Sequence, residues 1–212
     1  MLDLFLRGKW AMWPLLLAAI ICIAYILERF FTLLRARVNP TIFVEEVKLA
    51  YREGGVQGAI TLCNQNPNPV ARIFTPALEK FEKYRGSSDI KTILEEALTT
   101  SGSVELAFLD RGMLVLAAVA GVSPLIGFLG TVSGMINAFD AIAAAGTIDP
   151  VLVSSGISEA LITTATGLVI AIPAAAAHVF FTSRINTYTR AMEQASNSLI
   201  EYLLEEEEEK GG

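Results

Sequence analysis

The chain has 212 residues, 53% of them hydrophobic and only 18% charged, with a mean hydropathy of +0.51. Soluble domains carry about a quarter charged residues, so this balance points to a membrane protein. The net charge of −6 comes largely from one acidic run, residues 205–209, read as a solvated end; no basic patch is interleaved with aromatics, and nucleic-acid binding is not expected.

The first apolar run is WAMWPLLLAAIICIAYIL, residues 10–27, long enough for a hydrocarbon core of roughly 30 Å. It ends in ERFFTLLRAR, a stop-transfer flank, and is read as an uncleaved helix rather than a signal peptide. Trp10 and Trp13 are expected in the interfacial aromatic belt. Residues 1–34 thus form an N-terminal segment and first span.

Residues 35–111 follow as a polar, helical region. Gly54-Gly55 and NPNP (66–69) break it into shorter helices. Ile90, Leu94, Ala97, Ser101, Val104 and Phe108 alternate steps of four and three, so they line one helix face. No break is visible before the next apolar run, which predicts one long helix over residues 89–139. Cys22 and Cys63 have no ligand-spaced neighbours, so neither a disulfide framework nor a metal site is expected.

The second span, residues 112–139, carries MLVLAAVAGVSPLIGFLGTVSGMINAF without a charge, and the third, residues 159–183, is uncharged after Glu159 apart from His178. Residues 140–158 between them are expected as a loop. They hold no Lys or Arg, whereas the 35–111 segment holds many, including Arg35, Arg37, Lys48 and Arg72. The positive-inside rule puts the long segment in the cytoplasm and the short loop in the periplasm. The N-terminus is then periplasmic and the C-terminus cytoplasmic, although Arg7 and Lys9 oppose this. Residues 184–212 form a last cytoplasmic helix with its apolar stripe at Ile185, Tyr188, Met192, Ala195, Leu199 and Tyr202.

The last two spans are rich in small residues. Gly121, Gly127, Gly130, Ser133 and Gly134 occur in one, Ala171 and residues 174–177 in the other. Small residues let membrane helices approach closely, and Gly130-x-x-x-Gly134 is such a spacing. Pro124 and Pro173 interrupt the backbone hydrogen bonding of these helices. These spans are expected to form an inner layer, with the first span outside it facing lipid.

Glu159 opens the third span. Thr163, Thr166 and Pro173 fall within about 40° of it around a helix, while Thr164 lies about 140° away. Thr131 and Ser133 place hydroxyls in the companion helix. An acid at the edge of hydrocarbon must be hydrated, paired or protonated. Two readings follow. Glu159 lies among headgroups and the threonines bond to their own helix, or the file conducts a small cation.

GFLGTVSGMINAF (127–139) followed by GISEALITTATGLVIAIPA (156–174) resembles the signature of the ExbB/TolQ branch of the MotA/TolQ/ExbB proton-channel family. GGVQGAITLC (54–63), NPVARIF (68–74) and the order of one span, a cytoplasmic segment and two spans also fit. The resemblance implies an all-α homopentamer around a central pore in the bacterial inner membrane. It implies a dimer of an ExbD/TolR-like single-span partner in that pore, a TonB/TolA-like protein beyond, and surrounding lipid. It implies protons as the transported ion, no cofactor, and mechanical work driven by proton flow through Glu159, Thr131 and Thr164. AAAHV (175–179) departs from the pattern, and its His178 is read as an interfacial anchor. A non-conducting scaffold and a Na⁺-driven member of the family are the alternatives. No nucleophile with its base, ligand cluster or phosphate loop supports catalysis, and no broken inverted repeat supports a secondary transporter.

Overall fold

The computed structural model describes residues 2–35, 38–146 and 150–211, and every element in them is helical. In chain order these are α1 (Leu2–Arg7), a 3-10 turn (Lys9–Ala11), α2 (Met12–Arg35), α3 (Pro40–Gln65), α4 (Pro69–Tyr84), α5 (Ile90–Asp110), α6 (Met113–Ala145) and α7 (Pro150–Gly211). Three stretches are long and apolar enough to cross a membrane, within Lys9–Leu33, Ile90–Ala144 and Val153–Glu209. Arg37, counted among the loop cations, and residues 147–149 of the expected loop lie outside the described residues.

The chain divides into two compact units, Met1–Phe30 with Gly112–Phe181, and Phe31–Arg111 with Thr182–Gly212. The first holds the apolar helices. Its α2 turns Leu15, Cys22 and Arg29 inward at seven-residue intervals, all 3% exposed or less. Leu16, Leu17, Ile20, Ile23 and Leu27 are exposed on the opposite side. Pro14 sits in the first turn of α2, where its missing N–H leaves no intrahelical bond unmade. α6 and α7 form an antiparallel hairpin. α6 closes on Gly146, whose φ of 65° lets its N–H reach Ile142 O at 3.1 Å. Helix therefore occupies most of residues 140–158, where a loop is expected from the sequence.

The expectation of one helix over 89–139 is corrected at Gly112. Its φ of 89° ends α5 at Asp110 and restarts the chain as α6. A Cβ there would lie 2.7 Å from the Tyr25 ring, so the position also needs glycine for the packing of α2.

The second unit is built by α3, α4, α5 and the part of α7 after Phe181. Asn39-Pro40 and Asn68-Pro69 start two of its helices in the same way. Each Asn side chain accepts from a backbone N–H of the first turn, Thr41 N at 3.1 Å and Ala71 N at 2.9 Å, and each Pro follows where no donor is needed. The expected break at Gly54-Gly55 is a kink inside α3, carried by Gly55 at φ 64°. Phe43, Val47, Phe74, Phe81, Leu94, Leu199 and Leu203 make the core. The stripe on α7 is buried as expected except for Tyr188, which is partly buried. The stripe on α5 is buried only in its first half. Beyond Ser101 the buried positions are Glu105 and Leu109, and Val104 and Phe108 are exposed. The reason is polar: Glu105 turns inward to Arg72, 3.4 Å away.

Both cysteines are free and buried. Burial pushes the Cys63 thiol up to about 11, against a weaker lowering by a hydrogen bond from Thr75. Burial, and then the charge of Glu105, push the Tyr188 phenol up to about 12.

Candidate functional site

The α6–α7 hairpin is closed by residues without bulk. A Cβ on Gly127 would meet Thr163 O at 2.8 Å, one on Gly134 would meet Gly156 O at 2.9 Å, and one on Gly167 would meet Ser123 O at 2.6 Å. At Gly130 it would lie 2.6 Å from Thr163 Oγ1. The Gly127, Gly130 and Gly134 edge of α6 is therefore filled by α7 of the same chain. The close approach expected from the Gly130-x-x-x-Gly134 spacing is thus made within one chain. Close approach of the two backbones is what brings the hydroxyls to opposing carbonyls.

Three hydroxyls converge on Gly127 O: Thr131 Oγ1 at 3.3 Å, Thr163 Oγ1 at 3.3 Å and Thr164 Oγ1 at 3.2 Å. Ala160 O also accepts, from Thr131 at 3.0 Å and Thr163 at 2.9 Å. Thr131 and Thr164 share a short hydroxyl contact across the seam. The structure thus unites Thr131, Thr163 and Thr164. It leaves Thr166 out, since its hydroxyl donates to Ile162 O of its own helix at 2.8 Å. The 140° between Glu159 and Thr164 resolves physically: Thr164 faces α6, while Glu159 and Thr163 also meet the N-terminal turn. Pro173, expected on the Glu159 face, is exposed, and Pro124 and His178 are half-buried.

Glu159 is enclosed, its side chain 3% exposed, and its Oε2 lies 2.7 Å from Lys9 Nζ. The ammonium reaches Oε2 by distance but not along a hydrogen-bonding direction. Beside it, Trp10 Nε1 donates to Ser133 Oγ at 3.2 Å. From the sequence, Lys9 reads as a dissenting topology charge and Trp10 as a belt residue. A signal was present, because an acid inside hydrocarbon asks for a cation and Lys9 borders the first span. Ser123 is a further buried hydroxyl of the seam, 0% exposed and without a hydrogen-bond partner among the described residues.

Fold and site together define a multi-pass α-helical membrane protein with an enclosed acid beside a hydroxyl-bearing helix seam. The sequence model of the MotA/TolQ/ExbB proton channel family matches residues 65–194. An ExbB-like biopolymer transport protein of Synechocystis is 32% identical over 193 residues, covering 89% of this chain and 89% of its own. Biopolymer transport protein ExbB of Salmonella typhimurium is 36% identical over 121 residues, 56% of this chain and 50% of its own. Tol-Pal system protein TolQ of Haemophilus influenzae is 40% identical over 105 residues, 50% of this chain and 44% of its own. The chain therefore spans about half the length, or less, of the latter two relatives. It belongs to the MotA/TolQ/ExbB proton channel family, in the ExbB/TolQ branch. This is a family of channels and transport proteins rather than of enzymes.

Proposed function

We propose that the chain is the proton-channel subunit of an inner-membrane motor. Five copies surround a central pore that holds a dimer of an ExbD/TolR-like single-span protein. Proton motive force becomes mechanical work, passed through a TonB/TolA-like protein to an outer-membrane or envelope process. The observation that carries the reading is Glu159: a nearly enclosed carboxylate at the mouth of a membrane helix, one turn before the hydroxyl cluster of Thr131, Thr163 and Thr164. An ionisable group at that depth is expensive unless it has a task. Large apolar side chains exposed on α6 and α7, among them Phe128, Leu129, Ile136, Leu161 and Ile172, leave ample surface for neighbouring copies as well as lipid. Native mass spectrometry of the chain co-expressed with its ExbD/TolR-like partner should show five copies with two of the partner. A wild-type protein that stays monomeric would remove the pore from the reading.

The proposed orientation has the N-terminus and the α6–α7 connection in the periplasm and residues 35–111 in the cytoplasm. It rests on the Lys/Arg asymmetry. On a background lacking Cys22 and Cys63, an impermeant maleimide applied from outside should modify Ser154→Cys and spare Ser88→Cys, both at exposed positions. The reverse pattern would invert the orientation.

A further inference from the structure

We propose that Lys9 is the counter-ion that keeps Glu159 charged, and that a proton reaching Glu159 frees the N-terminal turn from the α6–α7 hairpin. The proposal deepens the reading of Glu159 as the proton acceptor and rests on it.

The burial of the two partners is unequal. The Glu159 side chain is 3% exposed and that of Lys9 is 54% exposed, with 2.7 Å between the charges. A carboxylate so enclosed holds its charge only beside a cation, whereas the ammonium is at home in water. The surroundings offer few substitutes. α6 carries no ionisable residue from Met113 to Phe139, and Asp140 lies on its exposed side. α7 carries none between Pro150 and Ala177 other than Glu159. Arg7, at the end of α1, is the other cation nearby in the chain.

The turn that delivers Lys9 is held under tension. Lys9 has φ 49°, a left-handed backbone conformation that residues other than glycine adopt only uncommonly. Three contacts keep it there: the ion pair, the Trp10–Ser133 hydrogen bond, and Gly8 packed on α7, where a Cβ would lie 3.4 Å from Thr163 Cγ2. A proton arriving at Glu159 forms an O–H bond and turns the carboxylate into a neutral acid. The lysine keeps its own proton and its charge, so the site gains one positive charge and the attraction ends. Lys9 then returns to water and its backbone relaxes. Proton and lysine are alternative occupants of one carboxylate. Loading the acid is thereby tied to a movement of residues 8–11, on the face of the hairpin that also carries Thr163.

The test uses the complex in phosphatidylcholine nanodiscs. Infrared difference spectra give the protonated-carboxyl band that Glu159→Gln removes, titrated from about pH 4 to 9. Loss of the cation makes the charged form less favourable, so Lys9→Met should raise the midpoint by about one pH unit or more, and Lys9→Arg should leave it nearly unchanged. Trp10 emission, read on a Trp13→Phe background, should follow the same midpoint and lose its pH dependence in Glu159→Gln. A Glu159 band whose midpoint is the same in Lys9→Met would overturn the counter-ion while leaving Glu159 as the acceptor. The absence of any Glu159-dependent band would overturn both.

Discussion

Glu159→Gln is expected to abolish energy-dependent work while the chain still folds, assembles and binds its partner. The amide has nearly the volume of the carboxyl, and the α6–α7 contacts do not run through it, so the hairpin survives. What disappears is the ability to alternate between a charged and a neutral form. One charge moved across a membrane potential yields about 2.3 kcal/mol per 100 mV, and a motor captures it only where transfer is tied to a change of contacts. Complementation of a strain lacking its own subunit, with the native partner co-expressed, should fall to the level of the empty vector. Glu159→Asp should keep part of the activity, having the charge with a shorter reach towards Lys9. Thr131→Val and Thr164→Val should each weaken it, by removing hydroxyls that bond across the seam. Full activity of Glu159→Gln at normal protein level would reduce the acid to a headgroup-zone residue and leave the scaffold reading standing.

Gly127→Leu is expected to force α6 and α7 apart and remove the folded protein altogether. Even the first carbon of a side chain would fall 2.8 Å from Thr163 O and 3.1 Å from Thr164 Cα, and backbone cannot step aside as a flexible side chain can. Gly127→Ala should still fold, with a loss of about 1–3 kcal/mol, the usual range for overpacking. Gly121 provides the comparison, since nothing lies within 4 Å of where its Cβ would stand. Thermal unfolding in detergent, followed by size-exclusion chromatography, should separate Gly127→Ala from a near-neutral Gly121→Ala. Equal stability of the two would mean that the seam is looser than described.

Much of this was legible because hydrocarbon imposes simple rules. Three uncharged runs marked three spanning helices, and NPNP marked the break between α3 and α4. The Gly130-x-x-x-Gly134 spacing marked a close contact, but spacing alone cannot say whether the neighbour is the same chain or another. Gly112 follows Asp110 and Arg111 as a helix-stop signal, but it lies between two apolar stripes whose spacing reads as continuous. The drift of the α5 stripe was missed because Glu105 reads as solvent-facing until Arg72, 33 residues away in the chain, is placed beside it. Within the site, Glu159 and the threonines stood out as polar groups in an apolar run. Lys9 did not, since a cation beside a first span is read as a topology signal, and its partner lies 150 residues further on.

The crowding at Gly127 O has a consequence of its own. The hydroxyls of Thr131, Thr163 and Thr164 each bring one hydrogen, and each has at least two oxygens within reach among Gly127 O, Ala160 O and one another. More than one assignment of those hydrogens satisfies the same arrangement of heavy atoms. As in ice, the cluster keeps residual orientational entropy, and its dipoles turn over by rotating C–O bonds alone. The seam is rigid to mass and soft to field, so it answers an approaching positive charge as a polarisable medium without any helix having to shift.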